Sequence, residues 1–140
     1  MAGAKKSGPG KPKPVPSTFW GRSRDAAIPV VIHEDEDGRP YLDPKPGDTT
    51  VTKDRFLYLV VVNLTVHRRT AEVEFRIPID GTGSKAHPIP AVDAGKMRYK
   101  RIRIDKDIFA GVPNDVAIIK VPFVVRVDGA TIDPDLKIQR

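Results

Sequence analysis

The chain has 140 residues, of which 24 are basic and 18 acidic, so its formal net charge is +6. This length fits one domain of ordinary size, and a hydrophobic content of 39% is sufficient for a buried core. No apolar stretch approaches the ~20 residues of a membrane-spanning helix, and the absence of cysteine excludes disulfides and thiolate metal sites.

The positive charge is concentrated at the N-terminus. Residues 1–24 contain six basic side chains and no acidic one, so the rest of the chain is neutral by count. Alternating prolines within residues 12–16 favour an extended path over a helix. We therefore predict a basic arm at residues 1–26 and a folded β domain at residues 27–140. Since no apolar segment follows the first lysines, we expect synthesis in the cytoplasm without a signal peptide.

Two aromatic residues, Phe19 and Trp20, follow the Pro- and Gly-rich stretch of the arm, and Trp20 is the only tryptophan. Such residues often dominate interfaces, so they could dock into a neighbour or pack on their own domain. An arm that only improves solubility is the simpler alternative. The partner-binding residues predicted from the arm are Lys5, Lys6, Lys11, Lys13, Phe19, Trp20, Arg22 and Arg24.

The first predicted strands of the domain flank turn residues. Residues 36–39 lie between the short segments 29–33 and 41–42, which predicts a hairpin. A loop with Pro and Gly follows at residues 44–48. Residues 56–64 are almost entirely apolar and rich in valine, which is typical of a central strand covered on both faces.

Two later segments alternate with a period of two. In residues 71–79 the odd positions are apolar and the even positions mostly charged, which predicts a strand with one solvated face. Residues 117–127 repeat the pattern, and Pro122 predicts an edge position or a bulge because it lacks an amide proton. Between the two segments, the pattern predicts one short helical turn at residues 106–110, closed by Gly111.

The end of the chain completes a predicted all-β domain. Asp128 and Gly129 divide the last long strand from a terminal strand at residues 132–138. Seven or eight short strands separated by turn signals over ~110 residues favour a β-sandwich.

Segments of this pattern resemble a known family. Residues 60–64, 71–75 and 91–96, with a closing strand that ends at residues 127–129, resemble the immunoglobulin-like sandwich of accessory domains in bacterial and phage structural proteins. The resemblance covers roughly residues 50–138 and lacks the Cys and Trp signature of antibody domains. It implies an immunoglobulin-like antiparallel β-sandwich of seven to eight strands, but such sandwiches serve many functions.

A basic segment stands out within the neutral domain. Residues 96–103 contain five cations together with Tyr99, a combination that could contact phosphates and stack on a base. Charged edge strands also deter unwanted sheet pairing, which is an equally simple interpretation. Strict alternation would place Met97, Tyr99, Arg101 and Arg103 on one face, with Arg98, Lys100, Ile102 and Ile104 on the other. The candidate second basic surface consists of Lys96, Arg98, Tyr99, Lys100, Arg101 and Arg103.

The sequence predicts no metal site, cofactor or catalytic centre. His33, His67 and His87 have no ligand spacing, and no nucleophile motif or phosphate-binding glycine loop is visible. Carboxylates cluster at residues 34–37 and 133–135, but the calcium-loop pattern fails there. A solvated hairpin tip is the simpler interpretation of the first cluster, and reception of the basic arm of another copy is the alternative.

These features favour a non-enzymatic structural or interaction protein that docks on a larger protein assembly through its N-terminal arm. Capsid decoration or stabilisation in a virion is the specific form that we expect, with self-association of copies as a further expectation. The first alternative is a nucleic-acid-binding module that uses the arm and residues 96–103. The second is a carbohydrate-binding or adhesive sandwich with Tyr41, Tyr58 and Tyr99 as its aromatic candidates. We expect no membrane partner.

Overall fold

The computed structural model describes residues 25–43 and 49–140, and this part of the chain contains strands and turns but no α-helix. The frequent β-branched residues and the alternation of apolar with polar side chains favour strands throughout. The strands are β1 (Ala26–Glu34), β2 (Pro40–Leu42), β3 (Thr49–Thr52), β4 (Phe56–Asn63), β5 (Arg69–Phe75), β6 (Ala86–Val92), β7 (Met97–Arg103), β8 (Ile118–Val127), β9 (Ala130–Ile132) and β10 (Asp135–Gln139).

The strands form two sheets packed around one core. One sheet has four strands in the order β2-β1-β4-β7, and the other has six, in the order β3-β10-β8-β5-β6 with β9 beside β8. The core contains buried aliphatic side chains from both sheets, such as Leu59 and Val61 of β4, Val73 of β5 and Val125 of β8. The predicted all-β sandwich is therefore confirmed.

Strand order and direction correct the expected antiparallel sandwich of seven to eight strands. The described residues contain ten strands, and the pairs β1–β4 and β3–β10 are parallel. The strand after β2, β3, belongs to the other sheet. The next strand, β4, is again in the first sheet and runs parallel to β1. Strands β2, β3 and β9 have only three or four residues, too few to show a period. The immunoglobulin-like topology stays a prediction.

β4 is a central strand, as predicted from its apolar composition. It lies between β1 and β7, and Leu57, Leu59 and Val61 are buried in the core. Tyr58 and Val60 point to the opposite side of the sheet, which we call the outer face, and they are also buried, at 2% and 6% exposure. The strand ends one residue before the predicted position 64.

The segment predicted as a strand at residues 71–79 ends as β5 at Phe75. The next amide, that of Arg76, donates to the carbonyl of Pro122 over 2.9 Å, and the chain then bends, so that Ile77 is 40% exposed. β5 pairs with β8 only from Phe123 onward. β8 lies between β10 and β5, and Pro122 pairs with Asp135 of β10 without a bulge, so the predicted edge position is wrong. Pro122 is tolerated inside the sheet because it lies where the pairing of β5 stops, so its missing amide proton costs no bond to β5.

The predicted helical turn at residues 106–110 is a run of single turns. The amide of Ile108 donates to the carbonyl of Asp105, and that of Ala110 donates to Asp107. Each bond spans three residues. The next turn is closed by the amide of Val112 and contains Gly111, whose φ of +80° favours glycine. The segment is too short to form the longer-spaced bonds of an α-helix.

Candidate interaction surfaces

The basic arm, predicted as the main partner-binding element, lies outside the described residues. This applies to Lys5, Lys6, Lys11, Lys13, Phe19, Trp20, Arg22 and Arg24. The point at which the arm joins the domain is fixed, because Oδ1 of Asp25 accepts a hydrogen bond of 2.8 Å from the amide of Phe56. β1 begins at Ala26, one residue before the predicted domain boundary. The arm therefore joins the sheet at the end where β4 starts.

β7 carries the second basic surface predicted from the sequence. It pairs antiparallel with β4, with Tyr99 opposite Val60 and Arg101 opposite Tyr58. The expected alternation is present, and the register divides the predicted set between the two sides of the sheet. Tyr99, Arg101 and Arg103 share the outer face, whereas Arg98 and Lys100 lie on the opposite side and Lys96 precedes the strand. The six residues therefore form no single basic surface.

Aromatic rings from β4 and β7 form a contiguous group on the outer face. The ring centroids of Tyr58 and Tyr99 are 5.9 Å apart, and those of Phe56 and Tyr58 are 6.4 Å apart. Tyr99 is 48% exposed, so one ring of the group is accessible to a partner. Burial raises the pKa of the Tyr58 phenol, and the nearby carboxylate of Asp25 raises it further. The phenol therefore stays neutral at physiological pH.

The arginines of the outer face are partly committed to contacts within the domain. The guanidinium of Arg101 lies 4.5 Å from the centroid of the Phe56 ring, and that of Arg103 lies 5.6 Å from it. Arg103 also contacts Oδ1 of Asp54 at 2.9 Å. These contacts hold both side chains over the aromatic group, and Asp54 offsets the charge of Arg103.

The three tyrosines considered for carbohydrate binding all lie on the outer face, but they do not form one platform. Tyr41 is 48% exposed on β2 and stacks on His33 with ring centroids 5.2 Å apart. Tyr99 is equally exposed on β7, at the opposite edge of the sheet. Tyr58 lies between these edges and is buried.

The loop between β4 and β5 presents two exposed apolar side chains. Leu64 is 55% exposed and Val66 is 75% exposed, and we call residues 64–66 the apolar loop. The residues on either side of Leu64 point inward, because Asn63 and Thr65 are 0% and 4% exposed. Nδ2 of Asn63 donates to the carbonyls of His67 and Val92, each over 2.8 Å.

A second set of bonds completes the base of this loop. Oδ1 of Asn63 accepts from the amide of Thr65 at 2.9 Å and from its hydroxyl at 2.7 Å. Nε of Arg69 donates to the Thr65 hydroxyl oxygen at 3.2 Å, and its other nitrogens contact Glu34 at 2.8 Å and Asp128 at 3.2 Å. Arg69 is only 8% exposed. The apolar loop is thus held in one shape by a buried polar network.

The sequence pattern does not predict the apolar loop. Leu64 continues the apolar run of residues 56–64, which predicts a central strand rather than a loop. A usable signal was present: Asn63 followed by Thr65 at the end of an apolar strand is typical of a turn in which the Asn side chain bonds the backbone two residues later. The distant partners of Arg69 left no such local signal.

Among the described residues, the histidines and acidic side chains meet only in pairs, such as His67 and Glu34 at 3.9 Å. In residues 25–43 and 49–140 no group of three or more His, Asp or Glu side chains could hold a metal ion. His33 instead contacts Asp43 at 2.8 Å. In the acidic hairpin, Oδ1 of Asp35 accepts from the amides of Asp37 and Arg39, each over 2.9 Å, so this carboxylate organises the turn.

Nε2 of His87 is the one buried side-chain nitrogen or oxygen that the described residues leave without a hydrogen-bond partner. His87 is 4% exposed on β6, and its ring lies 5.7 Å from that of Phe75. Burial lowers the pKa of His87, the carboxylate of Asp80 opposes this effect, and the ammonium of Lys100 adds to it. The imidazole is therefore neutral at physiological pH.

In comparisons with known proteins, the chain is similar in structure to parts of larger proteins. No family pattern and no curated protein matches the sequence. Among solved structures, the multicopper oxidase McoA of Aquifex aeolicus aligns over 93% of this chain and 32% of its own, with a TM-score of 0.47 and 7% identity. A laccase of Pediococcus acidilactici aligns over 92% and 28%, with a TM-score of 0.47 and 11% identity. A multicopper oxidase of Campylobacter jejuni aligns over 86% and 27%, with a TM-score of 0.47 and 15% identity.

This chain thus spans at most 32% of the length of these oxidases. In the part of the chain that the structure describes, no helix is long and apolar enough to cross a membrane.

Proposed function

We propose that this protein is a non-enzymatic interaction protein that docks on a larger protein assembly through its basic arm and its apolar loop. The apolar loop is the observation that carries the proposal. Leu64 and Val66 project from a loop whose neighbouring residues Asn63, Thr65 and Arg69 are buried and bonded. A rigid apolar projection loses little conformational entropy when it binds. Less of the favourable free energy of burial is therefore offset by the cost of ordering the loop.

The chemistry of this loop supports a protein partner rather than a nucleic acid. Burial of aliphatic side chains in an apolar pocket lowers the free energy, and protein surfaces offer many such pockets. Aliphatic side chains gain little against a phosphate backbone, whose affinity for proteins is dominated by cations. The basic arm would add contacts to acidic groups on the same assembly, and these would mainly accelerate association.

The two elements lie at opposite ends of one sheet. The arm joins at Asp25 beside Phe56, whereas Leu64 follows the other end of β4. The strand pairs from Ala26–Leu57 to Ile32–Asn63 separate these ends by about 20 Å at ~3.3 Å per residue. Simultaneous contacts so far apart suit a broad surface or neighbouring subunits, and two such contacts would strengthen each other through avidity. A virion accessory protein that decorates or stabilises a capsid is the specific form that we propose.

The experiment is gradient sedimentation of the tagged chain in a native extract of cells that contain its assembly. We expect the chain in a high-mass fraction that resists nuclease treatment. The double variant Leu64→Asp/Val66→Asp should move to the top of the gradient. The matched control is Ile77→Asp/Ile118→Asp, which changes two other exposed apolar residues and should sediment normally. Normal sedimentation of the loop variant would reject the role of the loop.

A variant of the arm separates its contribution from that of the domain. Replacement of Lys5, Lys6, Lys11 and Lys13 by Gln should reduce the bound fraction, and the loss should be larger at low salt because screening already weakens these contacts at high salt. The control replaces four lysines of the domain, namely Lys53, Lys85, Lys106 and Lys120. If both sets of changes have the same effect, net charge rather than the arm drives binding.

Nucleic-acid binding remains the second candidate because exposed Tyr99 shares the outer face with Arg101. Fluorescence anisotropy with a labelled single-stranded 20-mer and its duplex tests it directly. A nucleic-acid-binding module predicts a steep loss of affinity between ~50 and ~200 mM salt and a further loss in Tyr99→Ala. If the protein instead docks on a protein assembly, we expect weak binding to both oligonucleotides and no effect of Tyr99→Ala on it.

A further inference from the structure

The outer faces of the two sheets differ in chemistry. On the six-stranded sheet, the outer side carries ion pairs, with Arg126 contacting Glu72 at 3.4 Å and Glu74 at 2.9 Å. On the four-stranded sheet, the outer side of β4 and β7 carries Arg101 and Arg103 at one end and an apolar and aromatic area beside them. The members of this area are Phe56, Tyr58, Val60, Val62, Met97 and Tyr99.

The apolar area of the outer face differs from an ordinary solvated sheet surface. Tyr58 and Val60 are nearly as well buried as the core, although they point away from it. The described apolar side chains that pack against this pair are Ala27, Phe56, Val62 and Met97, all from the same sheet. The other described strands lie in the second sheet, on the core side. Only Tyr99 of this area is largely exposed, so an apolar group that packs on it would extend a surface already formed by its neighbours.

The geometry points to residues Phe19 and Trp20 of the same chain as the occupant of this apolar area. The N-terminal segment outside the described residues ends at Arg24, and the next residue, Asp25, is bonded to the amide of Phe56 at the edge of the area. Phe19 and Trp20 are the nearest large apolar side chains on that segment. The inference goes beyond the proposed function, because it concerns the attachment of the arm to its own domain.

Chain length permits this arrangement. From Trp20 to Ala26 an extended chain spans about 20 Å. Pro29 pairs with Val60, and Val60 pairs with Tyr99, so Tyr99 lies three residues along and two strands across from Ala26. At ~3.3 Å per residue and ~4.8 Å per strand this distance is about 14 Å. Docking in this way would fix the point from which the basic arm leaves the domain.

The exposed Tyr41 provides a matched control on the same face. It lies opposite His33, seven residues along β1 from Ala26 and one strand across on the other side. The same spacings place it about 24 Å from Ala26, beyond the reach of an extended backbone to Trp20. Tyr41 and Tyr99 are both 48% exposed. Replacement of either tyrosine by alanine therefore removes a ring of the same size and the same exposure.

Fluorescence of the full chain tests the inference, since Trp20 is the only tryptophan. We expect an emission maximum blue-shifted from that of a peptide of residues 1–24 and several-fold weaker quenching by acrylamide. In Tyr99→Ala the emission should shift to the red and the quenching should increase towards that of the peptide. In Tyr41→Ala both should equal the wild-type values. Peptide-like emission from the wild-type chain, or equal effects of the two variants, would overturn the inference.

Dilution and a variant in the arm complete the test. Emission that shifts to the red on dilution would show docking into a second copy and would overturn docking within one chain. Phe19→Ala/Trp20→Ala leaves the domain intact, and in ¹H–¹⁵N spectra it should shift the amide signals of Tyr58 and Tyr99 but not that of Leu136, a core residue of the other sheet. Unchanged signals at Tyr58 and Tyr99 would overturn the inference even if the Tyr99 variant failed to fold.

Discussion

The guanidinium of Arg69 lies 2.8 Å from the carboxylate of Glu34, and the two side chains are only 10% and 16% exposed. Arg69 opens β5 and Glu34 closes β1, so the pair joins strands of different sheets. The same guanidinium reaches Asp128 in the turn after β8 and the hydroxyl of Thr65 beneath the apolar loop. One buried cation therefore connects both sheets and supports the loop that we propose as a docking element.

Arg69→Ala should lower the free energy of unfolding by about 2–4 kcal/mol, because the carboxylate of Glu34 stays partly buried without its cation. Arg68→Ala is the matched control. Arg68 is 70% exposed and contacts Asp93 at 3.4 Å, so its loss should cost under ~1 kcal/mol. Urea denaturation measures both values, and equal costs would show that Arg69 has no special role.

Asn63→Ala should be similarly destabilising, by about 2–4 kcal/mol, because the buried amide satisfies the carbonyls of His67 and Val92 as well as the amide of Thr65. Asn114→Ala, at an exposed position, should have little effect. Hydrogen exchange of the Thr65 amide should also accelerate in the Asn63 variant. Unaltered exchange there would mean that the network does not hold the apolar loop.

The stability of the domain should fall as the pH is lowered below about 6.5, the ordinary pKa of histidine. Burial lowers the pKa of folded His87, so the unfolded chain binds a proton first and is favoured as the pH falls to the folded pKa. One such group contributes a slope of up to about 1.4 kcal/mol per pH unit over this interval, and no further loss below it.

His87→Leu removes this titration, so urea denaturation between pH 8 and pH 5 should show a flatter dependence than for the wild type. Asp80→Asn should steepen it, because the Asp80 carboxylate partly offsets the effect of burial on the pKa of His87. If His87→Leu shows the same pH dependence of stability as the wild type, groups other than His87 cause that dependence.

Leu64→Asp/Val66→Asp should leave the free energy of unfolding within ~0.5 kcal/mol of the wild type, because both side chains are largely exposed. The changes should act on partner binding alone. Thermal denaturation with circular dichroism checks this expectation. A large destabilisation would mean that the apolar side chains pack on the domain and are not available for docking.

The fold was predictable where the pattern is long and local. The alternation of β5 and β8 and the apolar run of β4 indicated a sandwich with β4 at its centre, and the structure confirms these features. Strands of three or four residues, such as β2 and β9, show no period. Chain direction in the pair β1–β4 depends on a crossover between sheets, for which the intervening residues carry no signal.

The candidate surfaces were predictable only in part. The alternation of β7 correctly placed Tyr99 and Arg101 on one face, because side-chain direction in a strand follows from sequence parity. The support of the apolar loop depends on Arg69 and its partners Glu34 and Asp128, which lie 35 and 59 positions away in the chain. Contacts at such separations arise from the packing of the two sheets and leave no local pattern.

Zero-length carbodiimide crosslinking of the full chain in its native assembly is the most direct test of the proposed docking. The reagent couples a lysine only to a carboxylate that it contacts. We expect the arm lysines Lys5, Lys6, Lys11 and Lys13 to become coupled to Asp or Glu residues of another protein, with a lower yield in Leu64→Asp/Val66→Asp. The proposed docking would be contradicted if the arm lysines became coupled only to carboxylates of this chain and if nuclease treatment dispersed the assembly.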